Sequence, residues 1–203
     1  YRLHVTYGTL TVTPRRIAVM ADSVHETYDG DTWSAPTATV AHADGGAFGL
    51  VSGDRCAVEN KNKIIYIRNA GTVANDYAAS DYVIRDAFGR DVTRNYQIIS
   101  VKAGTLTLDK RAITITTETD EREYDGKPLK NTDCKYEGLI PGQTIGADTQ
   151  TVTQITNVGT VENKTQFIIS ADRQIVTANY AVTYVYGTLT VTPRKVWIET
   201  ASA

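Results

Sequence analysis

The phrase Gly-Thr-Leu-Thr followed by Val or Leu occurs three times, starting at Gly8, Gly104 and Gly187. Each copy leads into a basic pair, Arg15-Arg16, Lys110-Arg111 or Arg194-Lys195, and then into an apolar stretch. Spacings of 96 and 83 residues are the length of a small domain, so the chain is an array of copies of one folding unit.

Five phrases keep the same order in both intervals. Tyr28-Asp29-Gly30 matches Tyr124-Asp125-Gly126, and Gly49-Leu50-Val51-Ser52-Gly53 matches Gly138-Leu139-Ile140-Pro141-Gly142. Asn69 to Asn75 matches Asn157 to Asn163, and Val92-Thr93-Arg94-Asn95-Tyr96 matches Val176-Thr177-Ala178-Asn179-Tyr180. Gly104 to Leu108 then matches Gly187 to Val191. Between Tyr-Asp-Gly and Asn-Tyr the first copy is longer by 12 residues. Seven fall before the Gly-Leu phrase, one before the Asn-x-Gly phrase and four before Asn-Tyr, as surface loops between fixed strands would allow.

Apolar residues alternate with polar ones at Leu3/Val5/Tyr7, Leu10/Val12, Ile17/Val19, Ile113/Ile115, Val182/Tyr184/Tyr186 and Val196/Ile198, the period of a half-buried strand. Gly8, Gly104 and Gly187 interrupt paired stretches, which predicts a bulge or sharp bend in a long strand. No helical stripe is present. At most one turn of helix is expected near Asp91–Asn95 or Asp172–Asn179. The predicted fold class is mainly β: two tandem antiparallel modules, immunoglobulin-like sandwich or β-grasp-like, elongated in series. Residues 1–15 form the closing strand of a preceding repeat, 16–110 and 111–194 the two modules, and 195–203 the opening strand of a following one. Beginning and ending inside repeat phrases, the sequence reads as a piece of a longer protein.

Charge narrows function. With 21 Lys+Arg against 23 Asp+Glu there is no basic stripe for nucleic acid, and no apolar run reaches a membrane span. Cys56 and Cys134 occupy non-equivalent repeat positions, unlike a disulfide framework copied with its module, so both are expected as free, partly buried thiols, the alternative being one bridge between the modules.

The ordered phrases Tyr-Asp-Gly, Gly-Leu-x-x-Gly, Asn-x-Gly-x-x-x-Asn, Val-Thr-x-Asn-Tyr and Gly-Thr-Leu-Thr-Val resemble the MBG/YDG-type tandem repeats of bacterial cell-surface adhesins. Asp86 to Tyr96 is the best single match, and the second copy keeps only its tail, with Asp172-Arg173-Gln174 replacing the fuller turn. Resemblance covers essentially the whole chain. It implies a secreted, wall-attached protein, of Gram-positive type, with many such modules and a β-rich fold. It brings no catalytic residues.

A search for chemistry returns little. The three histidines, His4, His25 and His42, have no Ser or Cys partner at a recurring position, and the cysteines lack Cys-x-x-Cys spacing. Asp81, Asp86 and Asp91 around Gly89 are candidate calcium ligands, but the second copy offers only Asp172 there. A Lys–Asn crosslink starting at Lys110 has Pro14 at the matching place. Tyr28-Asp29-Gly30 reads as an anchored tyrosine before an Asp-Gly turn. Contact residues are sought instead in the long first-module loop Asp31 to Phe48, where Trp33, His42 and Phe48 have no evident counterpart in Lys127–Glu137; the plainer reading is that Trp33 or Phe48 caps the core of its module.

The expectation is a non-catalytic stalk or spacer segment of an adhesin, with no enzyme activity and no cofactor or metal. Its partners would be neighbouring repeats. The alternative is a module that itself binds host mucin glycan, matrix protein or immunoglobulin, through the first-module loop or an edge strand.

Overall fold

The computed structural model describes residues 1–43 and 49–199. Two compact units are present, Tyr1–Glu26 with Asp31–Leu108, and Thr27–Gly30 with Asp109–Ala203. The first contains β1 (Arg15–Ala21), β2 (Val24–Thr27), β3 (Ala38–His42), β4 (Arg55–Val58), β5 (Gly71–Asn75), β6 (Tyr82–Arg85), β7 (Tyr96–Lys102) and β8 (Gly104–Asp109), although Thr27 itself groups with the second unit. The second contains β9 (Arg111–Thr117), β10 (Asp120–Glu123), β11 (Cys134–Glu137), β12 (Thr144–Ala147), β13 (Gly159–Glu162), β14 (Phe167–Ala171), β15 (Gln174–Ile175), β16 (Tyr180–Val185) and β17 (Thr188–Thr192). The chain is mainly β, in small mixed sheets consistent with a β-sandwich-like fold.

The sheets are not built from antiparallel pairs alone. The sheets β3-β1-β7 and β11-β9-β16 each join one antiparallel and one parallel pair. A second sheet in each unit has the order β2-β8-β5 or β10-β17-β13, with β10 parallel to β17. Alternation tells which face of a strand is buried but not the direction of its neighbour. The parallel partners are the first and last strands of a repeat, which no local turn joins.

Both of these strands leave one sheet for the next at a break. In the second unit β9 gives way to β10 at Glu118-Thr119, and β16 to β17 at Tyr186-Gly187. The glycine phrase sits at this crossing, where a strand bend was expected. A Cβ at Gly187 would lie 2.5 Å from the Thr117 carbonyl oxygen, and one at Gly104 would lie 2.3 Å from that of Asp22. The glycine is therefore required by close backbone approach.

Beyond the glycine, Leu106, Leu108, Leu189 and Val191 are buried, each burial contributing about 2 kcal/mol. The intervening threonines face outward and meet across the ladder, Thr107 with Thr72 at 3.3 Å and Thr190 with Thr160 at 3.0 Å. The phrase Gly-Thr-Leu-Thr is thus one strand with its crossing point, its core face and its cross-strand pair. Its first occurrence behaves differently. Residues 1–14 and 193–199 carry no strand and are exposed throughout. A lone strand leaves its backbone groups without ladder partners, and these segments have none among the described residues.

Candidate functional site

The polar residues that recur between the copies are engaged within the scaffold. Arg15 Nε donates to Gly49 O at 2.9 Å, and Arg111 Nε to Gly138 O at 2.9 Å, tying the basic pair to the Gly-Leu turn. Thr93 and Thr177 hydroxyls accept the Ile84 and Ile169 N–H groups at 2.9 and 2.8 Å, and both threonines open the single helical turns expected from sequence, Thr93–Asn95 and Thr177–Asn179.

The last Asn of Asn-x-Gly-x-x-x-Asn is fully buried and closes the strand crossing. Asn75 Nδ2 donates to Asp22 O at 2.8 Å and Ala35 O at 2.7 Å, and Asn163 Nδ2 to Glu118 O at 3.1 Å and Asn131 O at 3.0 Å. Oxygen satisfaction differs between the copies. Asn163 Oδ1 accepts from Thr165 Oγ1 at 2.8 Å, whereas Asn75 Oδ1 is buried without a partner. Tyr77 stands where Thr165 does, and its hydroxyl accepts instead from Ile65 N at 3.2 Å.

The tyrosine of Val-Thr-x-Asn-Tyr holds the Gly-Leu turn. The Tyr180 hydroxyl accepts from Ile140 N at 3.3 Å and donates to Gln143 Oε1 at 2.9 Å. The Tyr96 hydroxyl accepts from Val51 N at 3.0 Å and donates to Asp54 Oδ2 at 2.5 Å. Burial raises both phenol pKa values, helped at Tyr96 by the bond to Asp54, so both hydroxyls stay protonated donors at neutral pH.

Tyr28 also belongs to this constellation in the second unit. It is 3% exposed and lies in the cluster of Ile113, Phe167 and Tyr180. Its ring meets Tyr180 edge-on at 5.7 Å, its hydroxyl accepts from Gln143 Nε2 at 3.3 Å, and its N–H donates to Asp109 O at 2.9 Å. The anchored-tyrosine reading of Tyr-Asp-Gly thus holds for Tyr28, with Gly30 at φ 89° completing the turn. Sequence gave no sign that the anchor lies in the unit built by the following repeat.

The contact residues proposed from sequence fall in three places. Trp33 is half-buried against Ala35, Ile67, Leu106 and Leu108, and exchanges backbone hydrogen bonds with Ile67 at 2.8 and 2.9 Å. Leu129 does the same with Ile155 at 2.8 and 3.0 Å, so Trp33 has a counterpart after all, hidden because it is not aromatic. His42 ends β3, opposite Ile17 on β1. Phe48 lies outside the described residues. The expected long loop is therefore partly strand: β3 corresponds to β11, and the seven extra residues before the Gly-Leu phrase follow Ala41.

Asp81, Asp86 and Asp91 do not converge. Asp86 accepts the Phe88 and Arg90 N–H groups and pairs with the Arg90 guanidinium, Asp91 accepts the Thr93 N–H, and Asp81 pairs with Lys63 at 3.4 Å. Among the described residues no group of three or more His, Cys, Asp or Glu is placed to hold a metal. Cys56 and Cys134 are free thiols, and burial pushes Cys56 up to about 11. No helix among the described residues is long and apolar enough to cross a membrane. No protein-family model matches the chain, and no curated protein matches it.

Proposed function

We propose that this chain is a non-catalytic stalk or spacer segment of a bacterial surface adhesin, made of repeats of the MBG/YDG type. One observation carries the reading: the side chains that recur between copies are engaged in holding strands, turns and the strand crossing. Residues kept for chemistry would be expected to converge on a cleft with unengaged polar atoms, whereas Arg111, Asn163, Thr177 and Tyr180 each bond to backbone of their own unit. On this reading the segment is extracellular and reaches the cell wall through other parts of its parent protein, with neighbouring repeats as its partners.

Direct host-ligand binding is the second reading, and the seven-residue insertion that follows Ala41 only in the first repeat favours it. A binding screen of the 203-residue chain against mucin, matrix proteins and immunoglobulins separates the two. The spacer reading expects no saturable binding. Saturable binding abolished by Trp33→Ala, His42→Ala and Phe48→Ala together, and also by His42→Ala with Phe48→Ala while core-lining Trp33 is kept, would replace it with an adhesive module.

A further inference from the structure

Tyr124 stands where Tyr28 does in the repeat, and its backbone setting is the same. The Tyr124 N–H donates to Thr192 O at 2.9 Å, as the Tyr28 N–H does to Asp109 O at 2.9 Å, and Thr192 and Asp109 are equivalent ends of β17 and β8. Their side chains differ. Tyr28 is 3% exposed within the second unit, whereas Tyr124 is 40% exposed. The segment after Asp109 supplies Ile113 and Ile115 to the cluster that holds Tyr28. The corresponding segment after Thr192 supplies Val196 and Ile198, which are exposed.

The first unit shows the complementary half. Tyr96, Val51 and Asp54 reproduce the arrangement of Tyr180, Ile140 and Gln143 that surrounds Tyr28. Ile140, beneath the Tyr28-Asp29-Gly30 turn, is half-buried; its equivalent Val51 is 54% exposed.

We infer that Tyr124 is a docking residue for one partner, a further copy of this repeat joined after Thr192, whose core it completes as Tyr28 completes that of the second unit. The Tyr-Asp-Gly phrase is then the part of each repeat that finishes the next one. The Tyr96–Val51–Asp54 arrangement is the acceptor for such a tyrosine from a preceding copy. Folding of successive repeats is thereby coupled through a shared core residue, in a fixed order along the chain. This inference rests on the reading of the chain as a repeat array, and deepens it.

The test extends the chain after Thr192 with a second copy of residues 110–203 that carries Tyr124→Phe, so that the original Tyr124 lies in a peptide of its own mass. In the 203-residue chain, Tyr124→Ala is expected to shift the melting temperature by less than about 2 °C, as for an exposed side chain. In the extended chain it is expected to lower the melting of the appended unit by about 10 °C or more, the scale of an emptied aromatic site. Nitration by tetranitromethane, read by peptide mass spectrometry, supplies a second measure on chains with Tyr124 intact. Tyr124 is expected to react at least about fivefold more slowly in the extended chain. Equal nitration rates in the two chains, or an equally small melting shift, would overturn the docking role. Neither result touches the spacer reading, which the ligand screen decides separately.

Discussion

Replacing Asn163 with Ala tests the strand crossing at the residue that closes it. The substitution removes two donated bonds, to Glu118 O at 3.1 Å and Asn131 O at 3.0 Å, and the acceptor of the Thr165 hydroxyl at 2.8 Å. Asn163 and Thr165 are fully buried, so solvent does not readily replace what is lost. A net contribution of about 1 kcal/mol per bond, with a further penalty for groups left unpaired, puts the loss at about 3–4 kcal/mol. For a unit of this size that is a melting shift of roughly 15–25 °C. Asn75→Ala removes only two bonds, because Asn75 Oδ1 already lacks a partner, and should cost less by about 1 kcal/mol. Hydrogen exchange followed by peptide mass spectrometry reads each unit separately and is the appropriate assay. A loss below about 1 kcal/mol at Asn163, or a larger loss at Asn75 than at Asn163, would refute the assignment of this amide as the closing bond.

Gly187→Ala places a methyl group 2.5 Å from the Thr117 carbonyl oxygen and should cost the second unit about 2–3 kcal/mol, whereas Gly8→Ala, with nothing within 4 Å, should leave thermal unfolding unchanged. Tyr180→Phe deletes the acceptor for Ile140 N and the donor to Gln143, so urea unfolding of the second unit should lose about 1–2 kcal/mol. A disulfide reagent such as DTNB at pH 8 should label half-buried Cys134 first and Cys56 only as the first unit opens; equal rates for the two thiols would contradict the burial. Cys56 is raised by burial and the nearby Asp22 charge to about 11, above the 9.0 of an unfolded thiol. Its contribution to stability is therefore fully present below pH 9 and is lost as pH rises toward 11, a decline that denaturation midpoints across that range should show.

Much of the unit was legible because one repeat interprets the other. Alternation at Ile17/Val19 and Ile113/Ile115 found β1 and β9, and the Val-Thr-x-Asn-Tyr phrases found the two helical turns. The three glycines were read as a bend, and at Gly104 and Gly187 the reason is now visible in the carbonyl oxygens packed against them. Alternation over Leu3/Val5/Tyr7 looked the same as at Ile17/Val19 yet forms no strand, since pattern alone supplies no partner. The plainer reading of Trp33 as a core-capping ring agrees with its packing and its backbone bonds to Ile67, at a position that Leu129 fills in the other copy. The burial of Tyr28 in the second unit could not be read, because hydrophobicity marks a residue for a core without saying which core.

The length differences between the copies have a practical side. The first repeat carries extra residues after Ala41 and includes the turn Ala79–Asp81, yet the bonded crossing at Asn75 matches that at Asn163. The chain has thus already run an insertion experiment on itself. In the second repeat, the junction Glu137–Gly138 is the position that corresponds to the longest of these insertions, and a peptide grafted there is expected to leave the crossing at Asn163 in place.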